Sequence, residues 1–300
     1  AVMLAGNCTA LAPITCLLMG ISGTGESHLW ISTPFTLMYM VAVLGNFILS
    51  FVNHTEKSLH EPSYLFLPML AAADLLLSTS TMPKTLAIFW FRAGEVSLEA
   101  CFTPVFLILV VSCAESAILL AMAFDGYIAI CKPSKYVSLL IQRMTGTIAR
   151  SLSTVFPVVV LVKHLVFCRN KPLPHTYCKR MGIAKLACAD ITMNVWRGVT
   201  IAVFVLGTDA TLTAVSYALI LQTVFQLPSK NAWLKALSTR DSHLLVILLY
   251  FTLGFSSFLH TVLGAVFPVY PALIIVANLC VLFSSMLNPI IYGVTNKEFQ

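Results

Sequence analysis

Long apolar runs alternate along the chain with short polar segments. A helix needs about 20 predominantly apolar residues to cross a bilayer. Seven segments meet or approach that length: Leu29–Val52, Ser63–Met82, Cys101–Ile130, Gly146–Val162, Val199–Phe225, His243–Leu263 and Pro271–Tyr292. The fourth is short, carries Arg150 at its start and contains Pro157. Pro68, Pro157 and Pro289 fall inside spans, where neighbouring helices satisfy the carbonyls that proline frees. The pattern predicts an all-α membrane protein, a seven-helix bundle in one domain over residues 1–300. Residues 1–28 form a tail, 29–293 the bundle, and 294–300 a short tail at the other end. The first 28 residues lack the basic segment of a cleavable leader, and Leu29–Val52 is long enough to span.

Composition agrees with this reading. Hydrophobic residues make up 58% of the chain and charged residues 10%, against about 25% charged in soluble domains. Mean hydropathy is +0.89. The net charge of +6 is spread along the chain. It forms no cluster suited to nucleic acid, so the basic side chains are expected to face water or lipid headgroups.

Seven spans put the termini on opposite sides. With the N-terminus outside, nine of the 18 basic residues lie inside, and seven of the outer nine fall between Lys163 and Arg197. The positive-inside bias favours this orientation once that long loop is set aside. Asn7-Cys8-Thr9 is a glycosylation sequon on the outer tail. Cys168, Cys178 and Cys188 recur every ten residues in the loop after span four, and Cys101 opens span three on the same face. Four cysteines allow three pairings. Disulfides persist outside the cytosol, which makes that face extracellular. Gaps of ten do not match the close pairs of structural zinc sites. Cys8, Cys16, Cys113, Cys131 and Cys280 are expected to remain thiols.

Ionisable groups inside spans are costly and usually functional. Here they are Asp74, Glu115, Asp125 and Asp209. Asp74 and Glu115 fall at similar depth in spans two and three, which suggests a shared cation or a shared proton. Alternatively each carboxyl is protonated and hydrogen-bonded. Asn46, Ser284, Ser285 and Asn288 are polar partners at suitable depth. Enzyme signatures are missing: there is no HExxH, GxSxG, Walker loop or GxGxxG.

The motifs accumulate in order. They are Gly45-Asn46, "HEPSYLFLPMLAAADLLLSTSTMPK", "MAFDGYIAICKP", "SYALIL" with Tyr217, "KALSTRDSHL" and "LNPIIYG". Together with the loop cysteines they resemble olfactory receptors of the rhodopsin-like G-protein-coupled superfamily. "LAMAFD", "KLACAD" and "LPSKNAWLKALST" are most similar to the class I, fish-like branch. The resemblance implies disulfides Cys101–Cys178 and Cys168–Cys188. It implies a sodium site at Asp74 and Glu115, supported by Asn46, Ser285 and Asn288. It implies an activation switch at Asn288, Pro289 and Tyr292, and a plasma-membrane receptor that raises cyclic AMP through a stimulatory olfactory G protein. Where the family has Asp-Arg-Tyr, this chain has Asp125-Gly126-Tyr127. The arginine that pairs with the aspartate is absent, and a glycine weakens the helix there by about 1 kcal/mol. A receptor-like protein with impaired coupling is therefore an alternative reading, and an ion-conducting or transport protein built on Asp74 and Glu115 is a second.

Helical spacing groups Ile108, Leu109, Ser112 and Cys113 on span three, and Phe251, Phe255 and Phe258 in a stripe on span six. Such a stripe also suits plain helix packing; the resemblance implies that these positions contact an odorant. Class I receptors often hold short carboxylic acids through an arginine at a place that Val262 occupies here. Arg180, just after Cys178, is the candidate replacement, since a guanidinium binds a carboxylate bidentately. A neutral apolar volatile held by the phenylalanines is the other expected ligand.

Overall fold

The computed structural model describes residues 15–20, 28–55, 66–131, 136–167, 172–173, 175–225, 243–259, 262 and 271–295. Asn7 and Cys168 lie outside the described residues, as do the side chains of Asp125, Gly126 and Tyr127. Among the described residues, seven long helices form the bundle: α1 (His28–Thr55), α2 (Phe66–Phe91), α3 (Leu98–Cys131), α4 (Tyr136–Lys163), α6 (Thr192–Phe225), α7 (His243–Leu259) and α8 (Pro271–Thr295). A six-residue helix, α5 (Arg180–Lys185), precedes α6.

Two helices depart most from the hydropathy reading. α2 continues nine residues past Met82, the predicted end, and Pro83 sits inside it. Its Ser and Thr side chains make that possible. Ser78 Oγ donates to the Asp74 carbonyl (2.7 Å), Thr81 Oγ1 to Leu77 (3.1 Å) and Thr85 Oγ1 to Thr81 (3.0 Å). Each hydroxyl is satisfied within its own helix, so a stretch of modest hydropathy remains compatible with apolar surroundings. Pro68 falls in the first turn of α2, where a missing N–H costs little. α4 begins at Tyr136 rather than Gly146. Arg150 therefore stands in the middle of that helix and not at its boundary.

Apolar side chains also cover the outside. On α1, Leu37, Leu44, Phe47, Ile48 and Phe51 are exposed, and on α6 so are Phe204, Leu212 and Val215. A soluble protein does not expose apolar patches on this scale; the surface fits hydrocarbon. α1, α3, α6 and α8 are each long and apolar enough to cross a membrane by composition alone.

One end of the bundle carries a lid. β1 (Thr15–Leu18) lies between β2 (Glu95–Ser97) and β3 (Pro172–Leu173). It runs antiparallel to β2, with Thr15 opposite Ser97, and parallel to β3, with Leu18 opposite Leu173. Its side chains alternate, so Cys16 and Leu18 are buried while Thr15 and Leu17 are exposed. This segment, read from the sequence as part of the outer tail, is the central strand of the lid. Cys16 and Leu18 pack with Ile88, Leu98, Cys101 and Ile183. Cys101 is disulfide-bonded to Cys178. Cys188 is also in a disulfide, and its predicted partner Cys168 is outside the described residues. Cys16, Cys113 and Cys280 are free thiols. The lid is fixed to the bundle by polar contacts as well: Asn278 Nδ2 donates to Thr176 Oγ1 (2.8 Å), and both residues are buried.

Candidate functional site

A cavity of about 330 Å³ opens beneath the lid, bounded by α3, α4, α6, α7 and α8. Four predicted residues of α3 line it: Ile108, Leu109, Ser112 and Cys113. They are joined by Glu115 and Ser116, one turn further along.

The α7 wall differs from the expected phenylalanine stripe. Phe258 lines the cavity, but Phe251 packs into the core at the far end, and Phe255 is 63% exposed on the outer surface. Val262 is not among the lining residues. The cavity face is Tyr250, Leu253, Gly254, Ser257 and Phe258. That series follows the i, i+3, i+4, i+7 spacing of a helix face. The large aromatics at 251 and 255 lie on a face rotated away from the cavity.

Arg180 enters the cavity wall from the first turn of α5. Its Nη1 donates to the Asn194 carbonyl (3.0 Å), and Nη2 contacts Met181 Sδ (3.5 Å). Burial lowers its pKa from the usual arginine value. Gly198 on α6 passes directly against the guanidinium, and a Cβ there would overlap it. Lys179 also lines the cavity, with its ammonium 5.1 Å from the centre of the Tyr177 ring. His175, in the lid, is held down to a pKa of about 4 by burial and by Lys179 and Lys185.

The far end of the cavity holds a network that the hydropathy reading missed. Arg150 Nη2 lies 2.6 Å from Asp209 Oδ2, forming an ion pair between α4 and α6. Ser116 Oγ of α3 donates to the same carboxylate oxygen. Asp209 is fully buried. The signal was present in the sequence as two isolated opposite charges inside spans, but a start at Gly146 placed Arg150 at the membrane edge. Nearby, Tyr250 Oη donates to the Ser112 carbonyl (2.7 Å).

Asp74 lies deeper in the bundle and is fully buried. Its Oδ2 accepts from Asn288 Nδ2 (2.8 Å). Glu115 is close enough to interact with it electrostatically. Asp74 Oδ1, Glu115 Oε1 and Asn46 Oδ1 are buried acceptors without a donor among the described residues. Asn46 Nδ2 donates to the Ser285 carbonyl (2.8 Å), and Ser285 Oγ donates to Val281. A buried oxygen without a donor is costly, so each of these acceptors favours a proton or another positive group nearby. Toward the far end, Tyr292 Oη is 3.2 Å from His243 Nδ1, and Tyr217 packs against the same cluster. Residues 125–127 are helical in backbone.

Comparison with known proteins agrees with this architecture. The sequence profile of the olfactory receptor family matches residues 35–300. Human olfactory receptor 52B4 is 47% identical over 289 residues, covering 94% of this chain and 91% of the relative. Human olfactory receptor 52B2 is 46% identical over 299 residues, covering 98% and 92%. Human olfactory receptor 51E2 is 43% identical over 293 residues, covering 95% and 91%. The chain belongs to the olfactory receptor family. It is a seven-helix, odorant-sensing G-protein-coupled receptor of the membrane, and not an enzyme.

Proposed function

We propose that the receptor binds short carboxylic acids, with Arg180 as the carboxylate partner and the apolar walls holding the chain. The observation that carries this is a half-buried guanidinium in the cavity wall, without a carboxylate partner among the described residues. A guanidinium has five N–H donors, and the protein contacts given above use only two of its nitrogens. Small neutral volatiles of similar shape fit the same apolar walls.

In this reading the lid faces the outside of the plasma membrane, consistent with the Cys101–Cys178 disulfide and the Asn7 sequon. Asp74 and Glu115, with Asn46, Ser285 and Asn288, hold sodium or share a proton. Asp125, Tyr127, Tyr217, Asn288, Pro289 and Tyr292 belong to the end that engages a stimulatory G protein and so raises cyclic AMP. A second reading rests on Gly126: without the arginine of the family pattern, ligand binding persists but coupling is impaired. Transport is disfavoured by family membership.

The test compares the native chain with Gly126→Arg and Arg180→Ala, measuring cyclic AMP evoked by aliphatic acids, alcohols and esters, with surface staining as control. Acid responses that vanish in Arg180→Ala support the anchor; unchanged responses refute it. Responses confined to Gly126→Arg identify the glycine as the coupling defect.

A further inference from the structure

The hydroxyl groups at the far end of the cavity are already committed as donors. Tyr250 Oη donates to the Ser112 carbonyl (2.7 Å), and Thr154 Oγ1 donates to the Arg150 carbonyl (2.7 Å). Ser116 Oγ donates to Asp209 Oδ2. The direction of that last bond is set by chemistry. Asp209 is ion-paired with Arg150 at 2.6 Å, and a carboxylate only accepts. A hydroxyl has one hydrogen and two lone pairs. Ser116, Thr154 and Tyr250 all line the cavity, and toward a ligand they present lone pairs alone. Ser112, Ser257 and Ser284 also line it, and a serine hydroxyl serves either role, so they add no preference. Glu115 borders the cavity too, but its free oxygen is assigned above to the Asp74 pair and is not needed here. The lid end has the opposite character, because Arg180 and Lys179 carry only donors.

We propose that Ser116 and Tyr250 are specificity-determining residues: they make the far end of the cavity an acceptor-rich floor that favours ligands with a hydroxyl donor at the end remote from the lid. The favoured class is then an aliphatic chain with a carboxylate at one end and a hydroxyl at the other. The carboxylate half of that statement rests on the Arg180 reading; the hydroxyl half does not. Arg150 acts as a positioning residue, since its ion pair with Asp209 orients the Ser116 hydrogen away from the ligand. A site built to receive a hydroxyl hydrogen discriminates against an ether of the same shape, which leaves the acceptors facing one another.

The test measures binding directly, so it does not depend on coupling. The purified full chain in lipid nanodiscs is titrated while its thermal unfolding is followed. One series contains hexanoic and octanoic acids with their ω-hydroxy and ω-methoxy derivatives; the other contains octanol and octyl methyl ether. The expected result is about 3- to 10-fold tighter binding of each hydroxyl compound than of its methoxy counterpart, the range of one net hydrogen bond. That preference should collapse in Ser116→Ala and in Tyr250→Phe and survive in Ser116→Thr, which keeps the bond to Asp209. Should Ser116→Ala not fold, Tyr250→Phe carries the comparison. Acids that bind without hydroxyl preference overturn the floor and leave the Arg180 anchor standing. A preference confined to the neutral series overturns the anchor and leaves the floor standing. A preference that persists in both variants, or no binding in either series, overturns the proposal.

Discussion

Asn46 Nδ2 donates to the backbone carbonyl of Ser285 at 2.8 Å, and Ser285 stands four residues before Pro289. In an unbroken helix that carbonyl would accept from the amide of residue 289, which proline lacks. A side chain of α1 therefore completes the hydrogen-bond ladder of α8. Gly45 permits the approach, since a Cβ there would come within 2.8 Å of Pro289 Cγ. Asn46→Ala is expected to lower stability by about 1–3 kcal/mol, the cost of an unsatisfied buried group. Combined with Pro289→Ala, which restores the amide, the loss should be smaller than the sum of the single changes. Thermal unfolding of the four purified proteins measures this, and strict additivity would refute the link.

The Arg150–Asp209 pair leads to a different pattern. Arg150→Met leaves the fully buried Asp209 carboxylate without its ion-pair partner, with Ser116 still donating to it, and such changes cost up to about 3–5 kcal/mol. Arg150→Met with Asp209→Leu removes both charges and should recover most of that loss. Folded yield and thermal midpoint of the three proteins are the readout. A double variant as unstable as Arg150→Met would show that the pair is not an isolated electrostatic unit.

Gly198 offers a test of the acid anchor that leaves every charge in place. A methyl group at this position overlaps the Arg180 guanidinium. Gly198→Ala should therefore weaken binding of aliphatic acids by about 10-fold or more, as expected when a charge-assisted bond worth roughly 1.5–3 kcal/mol is displaced. Neutral alcohols should bind nearly as before. Equal weakening of both ligand classes would mean that the methyl group merely reduces the cavity.

The lid should be less stable in acid. His175 has an ordinary pKa of 6.5 but is held at about 4 by burial and by Lys179 and Lys185. Between those values the unfolded chain binds a proton that the folded chain refuses. The stability present above 6.5 is therefore lost as pH falls toward 4, by on the order of 3 kcal/mol at most. Asp190 has a lowered pKa through its bonds from Thr192 and acts in the same direction. His175→Gln should reduce, though not abolish, the decline in thermal midpoint between neutral pH and about pH 5. An unchanged slope would remove His175 from the account.

The long helices were legible in the sequence because hydropathy reports the solvent, and here most of the solvent is lipid. The same logic hid their ends. Ser and Thr in α2 satisfy themselves within the helix, and the less apolar first turns of α4 are helical nonetheless, so both elements exceed their apolar windows. On α3 the cavity residues Ile108, Leu109, Ser112 and Cys113 were readable from spacing. On α7 residue size misled: Phe255 points outward, while Gly254 and Tyr250 face the cavity. The ion pair between positions 150 and 209 and the β1–β3 pairing depend on long-range contacts, which no local pattern encodes.

The central place of β1 in the lid bears on the order in which the chain can assemble. Leu17 and Leu18 pair with Pro172 and Leu173, so the middle strand must wait for residues synthesised more than 150 positions later, after four of the bundle helices. Pairings this distant in sequence close late. The Cys101–Cys178 bridge spans 77 positions and depends on the same loop. Until that loop emerges, Cys101 has no Cys178 to pair with and the middle strand lacks one of its neighbours. This is the stage of biosynthesis at which a mispaired thiol would trap the nascent chain.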